Sequence, residues 1–182
     1  MKPAIASTRG RRFFPTFFLV LLVSAWSSQL FAADPLPAPQ GRVILTVTGN
    51  LAVTNAGDNA EFDMEMLSAL PQHEFTTTTP WTDGPHHFRG VLLRDLLQRV
   101  GGEGAEEREI RAMALNNYHY DIKKEQVAEL PLLLTTHLDG QPMKIRHKGP
   151  VWLMLPLSDN PSLNTKPNQE LLIWQLKTLE IR

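Results

Sequence analysis

The 182-residue sequence contains no cysteine. That excludes a disulfide framework, a thiolate metal site and a cysteine nucleophile, so the fold stands on its hydrophobic core alone. There is also no apolar run of the roughly 20 residues that a membrane-spanning helix needs; the uninterrupted stretch near the N-terminus covers only residues 17–23. Absent too are a G-x-S-x-G elbow, a phosphate-binding glycine loop, an H-E-x-x-H pair and a defensible pair of catalytic carboxylates. His86 and His87 are adjacent. On a strand they point to opposite faces, and with no third ligand at suitable spacing they read as solvated groups rather than a metal site.

The first 33 residues read as a segment organised for export. Lys2, Arg9, Arg11 and Arg12 precede an apolar segment, residues 13–26, broken only by Pro15, Thr16 and Ser24, and small residues close the stretch at Ala32 and Ala33. This is the pattern of a secretory signal peptide cleaved after Ala32 or Ala33, in preference to a membrane anchor. Arg11-Arg12 with Phe14 also matches part of a twin-arginine signal, from which Gly10 and Pro15 depart. Removing the leader leaves 14 of the 18 Lys and Arg against all 19 Asp and Glu, a formal charge of about −5. Such a balance argues against nucleic acid or an anionic membrane surface as the main partner. The expected location is the periplasm.

Residues 34–41 (DPLPAPQG) read as a flexible proline-rich lead-in, and residues 42–182 as one domain. β-Branched residues predict a first strand over 42–48, with a Gly49-Asn50 turn and a possible return over 52–54. Helical spacing of Phe62, Met66, Leu67 and Leu70 predicts a helix over 59–70, capped by Asp58 or Asn59 and stopped by Pro71. The apolar positions of VLLRDLLQRV predict a second over 91–100, ended by Gly101-Gly102. A third is expected over 124–130. Strands are expected over 74–79, 86–90, 109–115, 118–122, 132–138, 143–146, 151–155 and 173–181, with a hairpin turn at Asp139-Gly140. Many strands and few, irregularly placed helices indicate a mixed α+β domain.

Three segments carry candidate chemistry. The run TTTTPW, ending at Trp81, suits a strand but offers no strong acid, base or soft metal ligand. In ALNNYHY, Asn116 and Asn117 favour a turn, and also offer paired amide donors and acceptors beside the flat face of Tyr118. In IRHKGPVWLMLP, Arg146, His147 and Lys148 precede a Gly-Pro turn and an apolar strand bearing Trp152. That is either a basic loop ahead of a core strand or a set of anion-binding groups and an aromatic at the mouth of a sheet.

The succession of W…F-x-G-V-L-L-x-D-L-L-x-x-V-G (Trp81 and residues 88–101), A-L-N-N-Y (114–118), L-D-G-Q-P-M (138–143), R-H-K-G-P-V-W-L-M-L-P (146–156) and I-W-Q-L-x-x-L-E-I (173–181) resembles the molybdopterin-binding domain of the sulfite oxidase family. The resemblance covers nearly all of residues 42–182 and implies that family's compact, β-rich α+β fold. Catalytic members hold molybdenum through a cysteine thiolate. The family's spacing, counted back from residues 88–90, reaches Thr78 to within one residue, and a hydroxyl is a poor replacement for a thiolate on a soft metal.

A scaffold that keeps the pterin pocket without that ligand is similar to small periplasmic pterin-binding proteins of the PruR type. The resemblance implies a non-enzymatic sensor of a reduced pterin or molybdopterin, without molybdenum, acting on the periplasmic region of a membrane-bound cyclic-di-GMP enzyme. The alternative it leaves is a molybdopterin-dependent oxidoreductase with a non-cysteine metal site; a third possibility is a fold retained only for protein interaction. On the pterin reading, Trp81, Tyr118 and Trp152 stack on the ring, and Asn116 or Asn117 pairs with its edge. Arg146, His147 and Lys148 hold a polyol or phosphate, and Thr78 lines the metal position.

Overall fold

The computed structural model describes residues 35–101 and 104–182. The leader expected over residues 1–33, with Asp34 and Gly102, lies outside the described residues. Two sheets share one buried core. In the first, the order is β2 (Ala60–Phe62), β1 (Leu45–Gly49), β10 (Leu176–Ile181), β5 (Ile110–Ala114), β6 (His119–Ile122). β1 and β10 run parallel, Thr46 opposite Thr178, and the other pairs are antiparallel.

The second sheet has the order β3 (His73–Thr77), β4 (His86–Leu92), β7 (Leu133–Leu138), β8 (Gln141–Pro142), with β9 (Trp152–Met154) also on β7. All its pairs are antiparallel. Four short helices complete the set among the described residues: α1 (Met64–Ala69), α2 (Leu93–Gly101), α3 (Lys124–Glu129) and α4 (Lys166–Glu170). None is long and apolar enough to cross a membrane. This is the sheet-rich α+β architecture expected.

Local chemistry explains most of it. α2 buries Leu93, Leu96, Leu97 and Val100, the apolar stripe that its spacing dictates. Asp139 and Gly140 both take positive φ, 48° and 75°, and make the β7–β8 hairpin turn. Gly90 sits where β4 shifts register against β7, and a Cβ there would collide with the Leu134 carbonyl.

Elsewhere tertiary pairing overrides local spacing. The first helix does not begin at 59: Ala60 and Phe62 alternate inward as β2, because β1 offers an edge that pairs Leu45 with Phe62. The helix starts at Met64 with Asp63, not Asp58 or Asn59, as its cap. Residues 52–54 form no return strand; Ala52 and Val53 instead donate to the Val100 carbonyl. Residues 145–147 form a 3-10 turn instead of a strand, and β10 begins only at Leu176.

The lead-in is not a free tether either. Leu36 joins the buried core, the Asn55 amide donates to the Pro37 carbonyl at 2.7 Å, and the Gln40 and Gly41 N–H groups donate to one Asp63 oxygen at 2.8 and 2.7 Å. The other Asp63 oxygen accepts the Met66 N–H at 2.9 Å. These donors, Met66 foremost and Gly41 next, hold the buried Asp63 carboxyl below the usual carboxylate range.

Two stability predictions follow from these contacts. Because the Asp63 pKa is depressed by folding, its contribution is present above the ordinary carboxylate range and is lost as pH falls through the folded value. Asp63→Ala is expected to lower the free energy of unfolding by about 2 kcal/mol at neutral pH, and to flatten the acid limb of stability below about pH 4, both read from urea melts across pH. Gly90→Ala is expected to destabilise by on the order of 3 kcal/mol, with wild-type stability retained as the result that would contradict the register argument.

Candidate functional site

Loops from both sheets and α4 converge on a cleft of about 360 Å³, within the size range of small-molecule sites. Trp81, from the β3–β4 loop, forms one wall, and Asn116 and Tyr118, from the β5–β6 turn, form another. Lys166, Gln169 and Glu170 on α4, followed by Leu172, Ile173 and Trp174, complete it.

The threonine run positions Trp81. β3 ends at Thr77, whose side chain is buried. Thr77 Oγ1 donates to Ser158 Oγ at 3.1 Å and accepts the Ser158 N–H at 2.9 Å. The Thr78 N–H donates to the same serine oxygen at 2.9 Å, with the two hydroxyls 3.1 Å apart. Thr79 Oγ1 then accepts the Trp81 N–H at 3.1 Å and lies 3.1 Å from Thr82 Oγ1. Successive hydroxyls therefore satisfy the backbone as the chain leaves the sheet, and they fix the base of the tryptophan. Trp81 stays 38% exposed, its ring 5.3 Å from Trp174 in an edge-to-face arrangement at 77°.

The opposite wall is a tight turn. Asn117 takes φ 66°, the left-handed geometry asparagine tolerates, while Asn116 Oδ1 accepts the Tyr118 N–H at 3.0 Å. The Tyr118 hydroxyl donates to the Glu170 carbonyl at 3.3 Å, tying the turn to α4. Partial burial, then the Glu170 charge, pushes its phenol pKa up. Thr165 caps α4, accepting the Asn168 N–H. Among the described residues the Glu170 carboxylate, the Lys166 ammonium and the Asn116 Nδ2 have no hydrogen-bond or ion-pair partner.

Of the residues singled out from sequence, Trp81, Asn116 and Tyr118 line the cleft together. Trp152 does not: it is 1% exposed, stacked edge-on against Phe88 at 5.7 Å, and its Nε1 donates to the Leu172 carbonyl at 3.3 Å. β9 carries it into the core, so it supports the cleft floor and cannot stack on a ligand. Asn117 occupies the turn without lining the cleft, and Thr78 is consumed by Ser158.

The basic triplet is dispersed. Lys148 does not line the cleft; its Nζ lies 5.6 Å from the Trp152 ring and 6.0 Å from the Trp174 ring. Arg146 borders a different groove, and the exposed His147 lines neither. The α4 residues and Trp174 escaped sequence reasoning. Thr165 as a cap with Pro167 behind it was the available sign of a helix start, and it would have brought Lys166 to Glu170 into view.

Comparison with known proteins is consistent with this architecture. No curated protein matches the chain in sequence. Among solved structures, the chain is similar to the sulfane dehydrogenase SoxCD from Paracoccus pantotrophus, at 16% identity and a TM-score of 0.55. The match covers 75% of this chain and 37% of that one, so the chain spans little more than a third of its length. At that identity the likeness establishes the sulfite oxidase-like fold alone. A family model, the oxidoreductase molybdopterin-binding domain, matches residues 42–158, a span reaching from β1 through the threonine run, the Asn116–Tyr118 turn and β9, and the chain belongs to that family.

Proposed function

We propose that this domain is an exported, non-enzymatic pterin-binding protein, and that its cleft takes the flat ring of a reduced pterin or of molybdopterin. The observation that carries this reading is the pairing of aromatic surface with unpartnered polar groups in one cleft: Trp81, Trp174 and Tyr118 beside Glu170 and Asn116. A pterin presents an amino group and a ring N–H side by side, next to a carbonyl. A carboxylate accepts both donors at once, in the bidentate manner that makes charge-assisted bonds strong, and an amide N–H₂ suits the carbonyl. Stacking on the indoles adds about 1–3 kcal/mol per ring face by analogy with bases on aromatic platforms. Lys166, at the cleft, suits a phosphate or polyol tail better than the dispersed Arg146 and His147 do.

The metal half of the family's cofactor fits the chain poorly. Molybdenum in this fold wants a thiolate, and the chain has none. Thr78 already shares its hydroxyl with Ser158, and no group of three or more His, Asp or Glu among the described residues could hold a metal ion. Pterin binding without metal redox chemistry fits a sensor. In that role the liganded protein engages the periplasmic region of a membrane-bound cyclic-di-GMP enzyme, consistent with the leader-like sequence ahead of residue 34.

Titration with tetrahydrobiopterin, followed by tryptophan fluorescence, tests the site. Trp81→Ala and Trp174→Ala are each expected to weaken binding by about tenfold or more. Lumazine, which carries a carbonyl in place of the pterin amino group, is expected to bind wild type at least about tenfold more weakly, and Glu170→Gln to erase most of that preference. Metal analysis of natively exported protein is expected to find far less than one molybdenum per chain; stoichiometric molybdenum would overturn the non-enzymatic reading.

A further inference from the structure

We propose that a second depression, an open groove of about 420 Å³ bordered by Arg42, Lys144 and Arg146, docks a segment of a partner protein in which carboxylates flank apolar side chains. The apolar part of the groove's lining is Ile44, Met143, Ile145 and Pro150. Among the described residues none of the three cations lies within ion-pair distance of a carboxylate. Their convergence is not a reflection of composition, since residues 34–182 carry a formal charge of about −5.

Exposure points the same way. The large apolar side chains left exposed among the described residues are Trp81, Leu115, Tyr118 and Ile145. The first and third line the pterin cleft and Leu115 sits in the adjoining turn, between Ala114 and Asn116. Ile145, 39% exposed, has no such explanation; it stands in the groove between Lys144 and Arg146. Cations around an exposed isoleucine complement a chain that brings acidic and apolar groups together. A polyanion such as nucleic acid would use the charges and leave the apolar lining empty, and the acidic remainder of the domain repels it at longer range.

The groove is also tied to the cleft. Gln175, at φ 53°, follows Trp174 directly. Its backbone N–H donates to the Lys148 carbonyl at 2.8 Å, and its side-chain amide donates to the Ile145 carbonyl at 2.9 Å. One residue therefore clamps the 145–148 turn, which bears Ile145 and Arg146 of the groove, to the strand lead-in that bears a cleft tryptophan. The inference rests on the partner half of the proposed function and is independent of which ligand the cleft takes.

The test is fluorescence anisotropy with a labelled peptide of alternating glutamate and leucine, on wild type and on the Lys144→Glu/Arg146→Glu and Ile145→Ser variants. Each variant is expected to bind at least about tenfold more weakly, the charge-reversed one is expected to gain affinity for the lysine–leucine counterpart, and tetrahydrobiopterin titrations are expected to match wild type. Unchanged peptide affinity in the charge-reversed variant overturns the proposal, as does equal binding of plain polyglutamate. Absence of peptide binding alongside binding to phosphatidylglycerol vesicles would likewise overturn it, in favour of a membrane surface. Loss of pterin binding in wild type, with these peptide results intact, would count against the cleft reading alone.

Discussion

The parallel pairing of β1 with β10 is the constraint on which the rest of the domain depends. It places β10 at the centre of the first sheet, between β1 and β5, so residues 171–175 must approach the sheet from the end at which β5 turns into β6. There the Leu115 N–H meets the Gln175 carbonyl at 2.9 Å. On the other side, the Leu153 N–H donates to the Ile173 carbonyl and the Leu176 N–H to the Val151 carbonyl, both at 2.9 Å, joining the lead-in to β9 of the second sheet. Trp174 thus reaches Trp81 because a strand in one sheet begins where a strand of the other runs past it. The cleft is a product of this seam between sheets, and no single element could form it.

An aromatic series runs beneath that seam. Phe75 contacts Phe88 at 6.0 Å and Phe88 contacts Trp152 at 5.7 Å. Lys148 then spans Trp152 and Trp174, and Trp174 meets Trp81. The buried members fix the position of the exposed ones. This is why the run of threonines matters: Thr77, Thr78 and Thr79 bond the local backbone and Ser158, and so let the chain turn sharply while satisfying its polar groups.

Much of the fold is legible in the sequence, and where the structure departs from it the causes are physical. α2, β4 and the Asp139-Gly140 turn were legible because local spacing and global burial agree there. Trp81, Asn116 and Tyr118 stand out in the sequence because turns beside aromatics are seldom needed for packing, and the structure brings the three to one cleft. Trp152 was misjudged, since nothing local distinguishes a core tryptophan from a stacking one; its burial follows from β9 pairing with β7, where it sits opposite Thr135. The β2 segment was hidden because Phe62 satisfies helical and strand periodicities equally, and only the edge of β1 decides. Leu36 was hidden by its prolines, which suggest a tether whether or not a core groove awaits the leucine between them. α4, five residues long, is too short to show a periodicity at all.

The same β1–β10 pairing has a consequence for how the molecule forms. Leu45 to Gly49 and Leu176 to Ile181 lie near opposite ends of the described domain, so the central ladder of the first sheet is among its most non-local contacts, and non-local parallel pairing is slow to close. Until β10 arrives, β1 and β5 each present an unpaired edge open to other chains. Closing this one ladder joins β2 and β1 on one side to β5 and β6 on the other, so the first sheet is whole only once it forms.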